Sequence, residues 1–313
     1  MTVLVTGGSG YLAGWCIRSL LDQGYEVRTT VRDRSRQVES PVPVVRADLG
    51  SDEGWAEAVD GCTHVLHVAS PFPAVEPKDP AELIGPARDG TLRVLRAAFD
   101  AGVSRVVLTS SSSTVGRDET QWTDPVTARP YVRSKILAEQ AAWDFVAERG
   151  VSDRLVTVAP GAMLGPVLGK HVPYSVLVVD RLLKGAMPGL PRLGFPFVDV
   201  RDVADLHVRA LNTPDAGGRR FLATTGFLWL SEVAEVLRTR LGAVAAKVPS
   251  RRLPDLVVRL VALFDKELQQ VVGDLGVRTT YASTAAETTL AWRPRPLPDT
   301  IIDCAESLLR GGS

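Results

Sequence analysis

From residue 2 to about residue 160, short runs rich in β-branched residues alternate with longer segments whose apolar residues recur every three or four positions. The short runs are typical of buried strands, and the longer segments are typical of amphipathic helices. The predicted strands are 3–6, 26–31, 42–46, 64–68, 105–110 and 155–158. The predicted helices between them are 11–23, 52–59, 81–101 and 131–149. This order predicts an α/β fold, a Rossmann doubly wound parallel sheet with helices on both faces.

After Pro160 the pattern changes, because Gly and Pro residues interrupt the stretch 161–196 and leave one helical segment at 174–184. Farther along, the pattern predicts a strand at 219–223 and helices at 200–211, 231–242, 251–265 and 298–310. We therefore expect a second, smaller and mostly helical lobe that binds the substrate. The expected boundaries are 1–160 plus about 197–230 for the Rossmann domain and 161–196 plus about 231–313 for the substrate lobe.

Composition restricts the class of partner. The chain has 313 residues, 45% of them hydrophobic, and its 36 basic residues balance its 36 acidic residues. This is a globular protein without the basic surface that nucleic acid or an anionic membrane requires, so we expect a small-molecule partner. Cys16, Cys62 and Cys304 lack the spacing of a disulfide framework or a metal site. A strand-like run from Thr2 leaves no room for a leader, and no apolar stretch reaches membrane-spanning length, so we expect a cytoplasmic protein.

A glycine-rich turn follows the first predicted strand. The run TGGSG at 6–10 leads directly into the first predicted helix. Gly7 and Gly10 allow the backbone to turn tightly and to bring N–H groups and the positive end of the helix onto an anion. At the start of a βαβ unit, such a turn indicates a site for the pyrophosphate of a dinucleotide. The third small position is Ala13, which this fingerprint allows.

The end of the second predicted strand distinguishes between the two nicotinamide cofactors. An NAD site usually has an acidic side chain there, whereas this chain has Arg32. A guanidinium suits a 2′-phosphate, and Arg28, Arg34 and Arg36 add to the local positive field. The position therefore favours NADPH. Asp33 follows immediately and leaves NAD open, as does the interpretation of this segment as a solvated basic loop.

Tyr131 and Lys135 lie four residues apart on one predicted helix and therefore share a face. A phenol has an ordinary pKa of about 10, so a tyrosine that ionises near neutrality needs a shift of about three units. A nearby ammonium and a bound cofactor are expected to supply that shift. The third group comes from the serine run after the strand 105–110, where Ser111, with Ser112 as the alternative, can donate a hydrogen bond to a carbonyl oxygen.

Taken together, these motifs resemble those of the extended short-chain dehydrogenases/reductases. The resemblance is to the branch of dihydroflavonol 4-reductase, cinnamoyl-CoA reductase and related bacterial aldehyde reductases, and it covers nearly the whole chain. The segments that carry it are TGGSGYLA (6–13), TTVRD (29–33), ADL (47–49), VLHVASP (65–71), GTLRVLRAA (90–98), RVVLTSSSSTV (105–115), YVRSKILAEQAAW (131–143) and FVDVRDVADLHVRAL (197–211).

This resemblance implies reduction of a ketone or aldehyde with NADP(H), with Tyr131 as general acid, Lys135 on the nicotinamide ribose and Ser111 on the carbonyl. The residues that it implies for the cofactor site are Thr6, Gly7, Gly10, Tyr11, Leu12, Arg32, Asp48, Leu49, Ala69, Ser70, Tyr131, Lys135 and Pro160. It also suggests a homodimer through the helices 81–101 and 131–149. The 19 residues between Ser111 and Tyr131 are fewer than in the plant enzymes, which argues against a flavonoid substrate.

Three other functions stay open on the same scaffold. A nucleotide-sugar epimerase or dehydratase recycles a tightly bound NAD, which Arg32 argues against. A hydroxysteroid dehydrogenase would run the reaction as an oxidation. A non-catalytic sensor of NADP would bind the nucleotide and a protein partner, but it would not need the pair Tyr131 and Lys135.

A few residues fit more than one interpretation. His64 and His67 alternate on a predicted strand, but no further ligand is spaced near them, so we expect no metal site. His207 has no partner that its neighbours in the sequence reveal. Trp122 and Phe195 fit either the lining of a substrate pocket or packing between the two lobes.

Overall fold

Valine and leucine fill the strands of the first half of the chain, and most of these side chains are buried, as expected for a parallel sheet covered on both faces. The computed structural model describes residues 1–71, 79–116, 118–169, 172–264, 269 and 271–311. Its strands are β1 (Thr2–Val5), β2 (Glu26–Val31), β3 (Val44–Arg46), β4 (His64–His67), β5 (Arg105–Thr109), β6 (Leu155–Pro160), β7 (Ala162–Leu164), β8 (Gly194–Asp199), β9 (Arg219–Ala223) and β10 (Gly226–Trp229).

Amphipathic segments form the helices between these strands. The helices of the described residues are α1 (Tyr11–Asp22), α2 (Trp55–Val59), α3 (Ala81–Asp100), α4 (Pro130–Glu148), α5 (Leu177–Leu183), α6 (Val200–Asn212), α7 (Leu230–Leu241), α8 (Asp255–Ala262), α9 (Thr284–Thr289) and α10 (Leu297–Gly311). Within the described part of the chain, none of them has the length and apolar character of a membrane span.

A seven-stranded sheet in the order β3-β2-β1-β4-β5-β6-β9 dominates the first part of the molecule. All of its strand pairs are parallel, and they begin with the pairing of Thr2 with Glu26. The strand order reverses between β1 and β4, which makes this the switch point of a doubly wound sheet. The structure therefore confirms the predicted Rossmann fold.

One apolar cluster joins the sheet to α2, α3 and α4. Leu4 and Val106 contribute to it from the strands, while Trp55, Leu95 and Ala142 contribute from the helices. The chain moves along the sheet in one direction from β1 to β2 and in the opposite direction from β4 to β5 and β6. Because parallel crossovers are right-handed, α1 lies on the face of the sheet opposite to α3 and α4. The site at the end of the sheet is thus supported from both faces.

The described chain divides into two compact units. The first unit consists of Met1–Pro160, Arg201–Ala223 and Ala282–Arg293. The second unit consists of Gly161–Val200, Thr224–Tyr281 and Pro294–Ser313. The assignment of a cofactor-binding and a substrate-binding role to the two parts of the chain stays a prediction.

The second unit contains a three-stranded sheet that the sequence pattern did not predict. Its order is β10-β8-β7, with β7 parallel and β10 antiparallel to β8. Pro196 lies inside β8 and Gly residues begin both β8 and β10, so these short segments carry a weak strand signal. The predicted helix 251–265 begins only at Asp255, because Pro254 precedes it in an extended conformation; residue 265 lies outside the described residues.

Candidate active site

The predicted site residues of the first unit gather at the carboxyl ends of β1, β4, β5 and β6. Thr6 and Gly7 follow β1, Ala69 and Ser70 lie two and three residues after β4, and Pro160 is the last residue of β6. In a doubly wound sheet this edge, at the point where the strand order reverses, is where ligands bind. The fold thus brings together segments that are up to 154 positions apart (160 minus 6).

Thr6 connects the ends of β1 and β4. Its Oγ1 accepts hydrogen bonds from the backbone N–H of Val68 and of Ala69, at 3.1 and 3.0 Å. Both lone pairs of the hydroxyl are then engaged, so its proton is donated to Nδ1 of His67, 2.9 Å away. His67 is therefore neutral and carries its proton on Nε2. Burial lowers the pKa of His67 to about 3, and the positive charge of Lys135 acts in the same direction.

The glycine turn has no room for side chains. Gly7 has φ +75°, a left-handed conformation, and a Cβ there would lie 3.0 Å from Cβ of Ala69. A Cβ on Gly10 would lie 3.1 Å from the carbonyl oxygen of Gly7. Because α1 begins at Tyr11, the positive end of its dipole lies at this turn. The turn therefore has the close backbone approach and the polarity that a pyrophosphate needs.

At the end of β2, Arg32 is exposed and Asp33 is engaged locally. Oδ1 of Asp33 accepts a hydrogen bond from the backbone N–H of Ser35 at 2.9 Å, and this bond lowers the pKa of Asp33. Arg28, which was expected to add to the positive field here, also makes contacts at the end of α2. Its Nη1 donates to three carbonyl oxygens near the end of α2, including that of Asp60 at 2.7 Å, so Arg28 caps the C-terminal end of that helix.

The segment after β3 is held by local contacts. Oδ1 of Asp48 accepts from the backbone N–H of Gly50 at 2.8 Å. The carbonyl oxygen of Leu49 accepts from Nη1 of Arg93 at 2.6 Å, and a Cβ on Gly90 would lie 2.7 Å from Cβ of Leu49. Asp48 and Leu49 are thus fixed in place, and their predicted position beside an adenine stays a prediction.

Lys135 joins α4 to the ends of β4 and β5. Its Nζ is buried and donates to the carbonyl oxygen of Thr109 at 3.1 Å and to Oγ of Ser70 at 3.4 Å. Burial lowers the pKa of Lys135 to about 8, and the carboxylate of Glu139 opposes that lowering. The ammonium is therefore held in place by the two strand ends on which the predicted cofactor and substrate groups lie.

Tyr131 lies one turn before Lys135 on α4, which begins at Pro130. The side chain is partly buried, and burial raises the pKa of Tyr131 to about 12. The expected lowering of this phenol pKa depends on the bound dinucleotide as well as on Lys135, and it stays a prediction for that complex. The Lys135 ammonium donates to Thr109 and Ser70, and desolvation dominates at the phenol. The tyrosine is thus held in its protonated form.

Ser110–Thr114, which we call the serine turn, follows β5. Ser111 is partly exposed, and its Oγ lies 2.8 Å from Oγ of Ser113. Ser112 is buried, and Ser110 donates to Glu139 at 2.5 Å. Among Ser110, Ser111 and Ser112, only the side chain of Ser111 is not buried.

Two buried side chains in this region, His207 and Glu139, have contacts that the sequence did not predict. Nδ1 of His207 donates to the carbonyl oxygen of Val203 at 2.8 Å, so its Nε2 accepts from the hydroxyl of Thr109 at 2.8 Å. Burial lowers the pKa of His207 to about 4. Glu139 lies one helical turn after Lys135, and that spacing was the one available signal for it. Among the residues whose positions are described, no group of His, Cys, Asp and Glu could hold a metal ion.

Comparison with known proteins gives a consistent set of relatives. The model of the NAD dependent epimerase/dehydratase family matches residues 3–222. Cinnamoyl-CoA reductase 1 of Petunia hybrida is 37% identical over 259 residues, which are 75% of this chain and 76% of that protein. Dihydroflavonol 4-reductase of Zea mays is 33% identical over 268 residues, which are 76% of this chain and 74% of that protein.

A solved structure matches nearly the full length. The crystal structure of yeast methylglyoxal/isovaleraldehyde reductase Gre2 complexed with NADPH superposes with a TM-score of 0.80 at 25% sequence identity. The match covers 99% of this chain and 98% of that chain. The three proteins named here are all reductases.

Proposed function

Because the chain belongs to the NAD dependent epimerase/dehydratase family, within the extended short-chain dehydrogenases/reductases, we propose that it reduces a ketone or aldehyde to an alcohol with NADPH. It is an oxidoreductase with the Rossmann fold of that family. The observation that carries the proposal is the position of Lys135, whose ammonium bridges Thr109 and Ser70 at the ends of adjacent strands. Tyr131 lies one turn before it on the same helix, and Ser111 lies two residues after Thr109.

The residues present fit a dinucleotide with a 2′-phosphate. The space that a Cβ would fill at Gly7 and Gly10 allows the backbone to approach a pyrophosphate. The exposed guanidinium of Arg32 suits a phosphate, whereas the carboxylate of Asp33 is engaged by Ser35. The residues proposed to hold the dinucleotide are Thr6, Gly7, Gly10, Tyr11, Leu12, Arg32, Asp48, Leu49, Ala69, Ser70, Tyr131, Lys135 and Pro160. When bound, the dinucleotide supplies a hydride to the carbonyl carbon.

The chain's own residues then act on the carbonyl oxygen. Ser111 donates a hydrogen bond that orients the oxygen and stabilises the negative charge that develops on it. Tyr131, protonated because its pKa is raised, transfers its phenol proton to that oxygen and completes the alcohol. The Lys135 ammonium stabilises the phenolate that remains. The proton balance therefore closes with one proton taken up later from solvent.

A panel of aldehydes and ketones, with a dihydroflavonol and a cinnamoyl thioester as separate arms, tests the proposal. We expect oxidation of NADPH, measured by absorbance, to match alcohol formation mole for mole and to be slower with NADH. Tyr131→Phe is expected to lower kcat about 100-fold or more, because the proton donor is lost.

Tyr25→Phe is the matched control, since Tyr25 lies before β2 in the same unit and away from the serine turn. It is expected to leave kcat unchanged. Turnover of a nucleotide sugar without net consumption of NADPH would favour the epimerase alternative. Full activity of Tyr131→Phe across the panel would exclude the proposed proton donor.

A further inference from the structure

One buried carboxylate in the first unit has no part in the proposed reaction. Glu139 is 1% exposed, and its two oxygens accept hydrogen bonds from four side chains, with Arg220 donating twice. The donors are Ser110 at 2.5 Å, Thr114 at 2.9 Å, Thr157 at 2.8 Å and Nε of Arg220 at 2.9 Å. A buried carboxylate needs such a set of donors, because it has lost its hydration. These donors come from both ends of the serine turn, from β6 and from β9.

Arg220 extends the contacts of this carboxylate to the segment that follows the serine turn. Its Nη1 donates to the carbonyl oxygens of Glu119 and Gln121, at 2.9 and 3.3 Å. Its guanidinium lies 3.7 Å from the ring centroid of Trp122, a cation–π contact. Trp122 therefore packs on Arg220 within the first unit, and Arg220 fixes the short connection that leads to α4.

The pair Glu139 and Arg220 thus lies beside two groups of the proposed site, Ser111 and Lys135. Glu139 binds Ser110 and Thr114, so it holds the serine turn on either side of Ser111. It also lies one helical turn after Lys135 and favours the charged form of that ammonium. Among the described residues, the other groups beside Lys135 are uncharged: the carbonyl of Thr109, the hydroxyl of Ser70, the neutral imidazole of His67 and, one turn earlier on α4, the protonated phenol of Tyr131.

We propose that Glu139, with Arg220 as its counter-ion, is a positioning residue that fixes Ser111 in register and places a negative charge one helical turn from the Lys135 ammonium. This rests on the proposed reductase function for its kinetic consequences. A purely structural ion pair could be replaced by neutral side chains of similar size without loss of activity. A positioning pair could not, because the serine turn and the ammonium both depend on the carboxylate.

Three variants separate the two roles: Glu139→Gln, Arg220→Met and the double variant. Glu139→Gln is expected to lower kcat about ten- to a hundred-fold with little change in KM, because a small displacement of reacting groups has that effect. Arg220→Met leaves a buried carboxylate without its cation and is expected to lower the melting temperature. The double variant removes both charges, so its melting temperature is expected to return toward that of the wild type while kcat stays low.

The pH profile gives a readout that a structural role would not change. As the pH rises through the pKa of Lys135, about 8, the ammonium loses its proton, and kcat/KM is expected to fall. Without the negative charge of Glu139, the ammonium is lost at lower pH, so this alkaline limb is expected to move down by about one pH unit. Amine labelling of Lys135 as a function of pH, followed by peptide mass spectrometry, measures the same displacement without any turnover.

Asp205→Asn is the matched control, since Asp205 pairs with Arg209 at 2.6 Å elsewhere in the same unit. It is expected to leave kcat, the alkaline limb and the labelling of Lys135 unchanged. If the double variant regains kcat together with stability, or if the labelling of Lys135 does not move, the pair is structural and the proposal is wrong. If the wild type turns over no member of the panel, the reductase proposal fails, while the labelling still decides whether Glu139 controls Lys135.

Discussion

Polar side chains are buried at the end of the parallel sheet in the first unit, whereas apolar side chains are exposed on the surface of α8 in the second unit. At the sheet end, His67, Lys135 and Glu139 are buried and each is paired by a specific neighbour. On α8, apolar side chains face solvent, with Leu256 70% exposed. Removing one partner of a buried polar pair lowers the free energy of unfolding strongly, whereas substituting an exposed apolar side chain changes it little. The comparison teaches where this molecule is sensitive to substitution.

The largest expected effect is a loss of stability at acid pH, and protonation of His207 accounts for part of it. The pKa of His207 is about 4 in the folded state, against about 6.5 for an unperturbed imidazole. Between these values the unfolded state binds more protons than the folded state, so stability falls as the pH drops from about 6.5 to about 4. The shift corresponds to a loss of about 3 kcal/mol. Urea unfolding at several pH values measures it.

His207→Gln keeps a donor for Val203 and an acceptor for Thr109 but does not titrate, so it is expected to flatten this pH dependence. His64→Gln is the control, because His64 is only partly buried on β4 and its pKa is lowered less. An unchanged slope in His207→Gln would mean that other groups, such as His67, account for the acid sensitivity.

A smaller effect is expected at the glycine turn. Gly7→Ala places a side chain at φ +75° and brings its Cβ within 3.0 Å of Ala69, so we expect a loss of about 1–2 kcal/mol in stability. Gly24→Ala has nearly the same φ, +79°, but nothing within 4 Å of its Cβ. It measures the conformational cost alone. The comparison of the two variants isolates the contact with Ala69.

Dinucleotide binding separates these two variants further. Gly7→Ala is expected to weaken NADPH binding about tenfold, equivalent to about 1.4 kcal/mol, because the backbone is displaced from its close approach. Gly24→Ala is expected to bind NADPH as the wild type does, as measured by fluorescence titration. Equal Kd values for NADPH in both variants would mean that the glycine turn does not bind the dinucleotide.

The same contrast explains what could be predicted from the sequence. The strands at Glu26–Val31 and Arg219–Ala223 were predicted with their observed bounds, because glycines mark a turn just before each of them, Gly24 before the first and Gly217 and Gly218 before the second. Gly7, Tyr131 and Lys135 were chosen as candidate site residues from local spacing, which a single sequence contains. His207 and Glu139 were not, because their partners Thr109 and Arg220 lie 98 and 81 positions away. Spacing along a chain carries no information on pairs at that separation.

The smallest expected effect is on α8, and it tests the exposed side of the comparison. Leu256→Gln replaces a side chain that is 70% exposed, so we expect the free energy of unfolding to change by no more than about 0.5 kcal/mol. Val258, two residues later on the same helix, is 3% exposed and belongs to one apolar cluster with Leu230 and Leu275, so Val258→Ala is expected to lose about 2 kcal/mol. Both values come from urea unfolding of the full chain. If Leu256→Gln lowered the free energy of unfolding as much as Val258→Ala, this face of α8 would be covered in solution. Both regions would then owe their sensitivity to buried side chains.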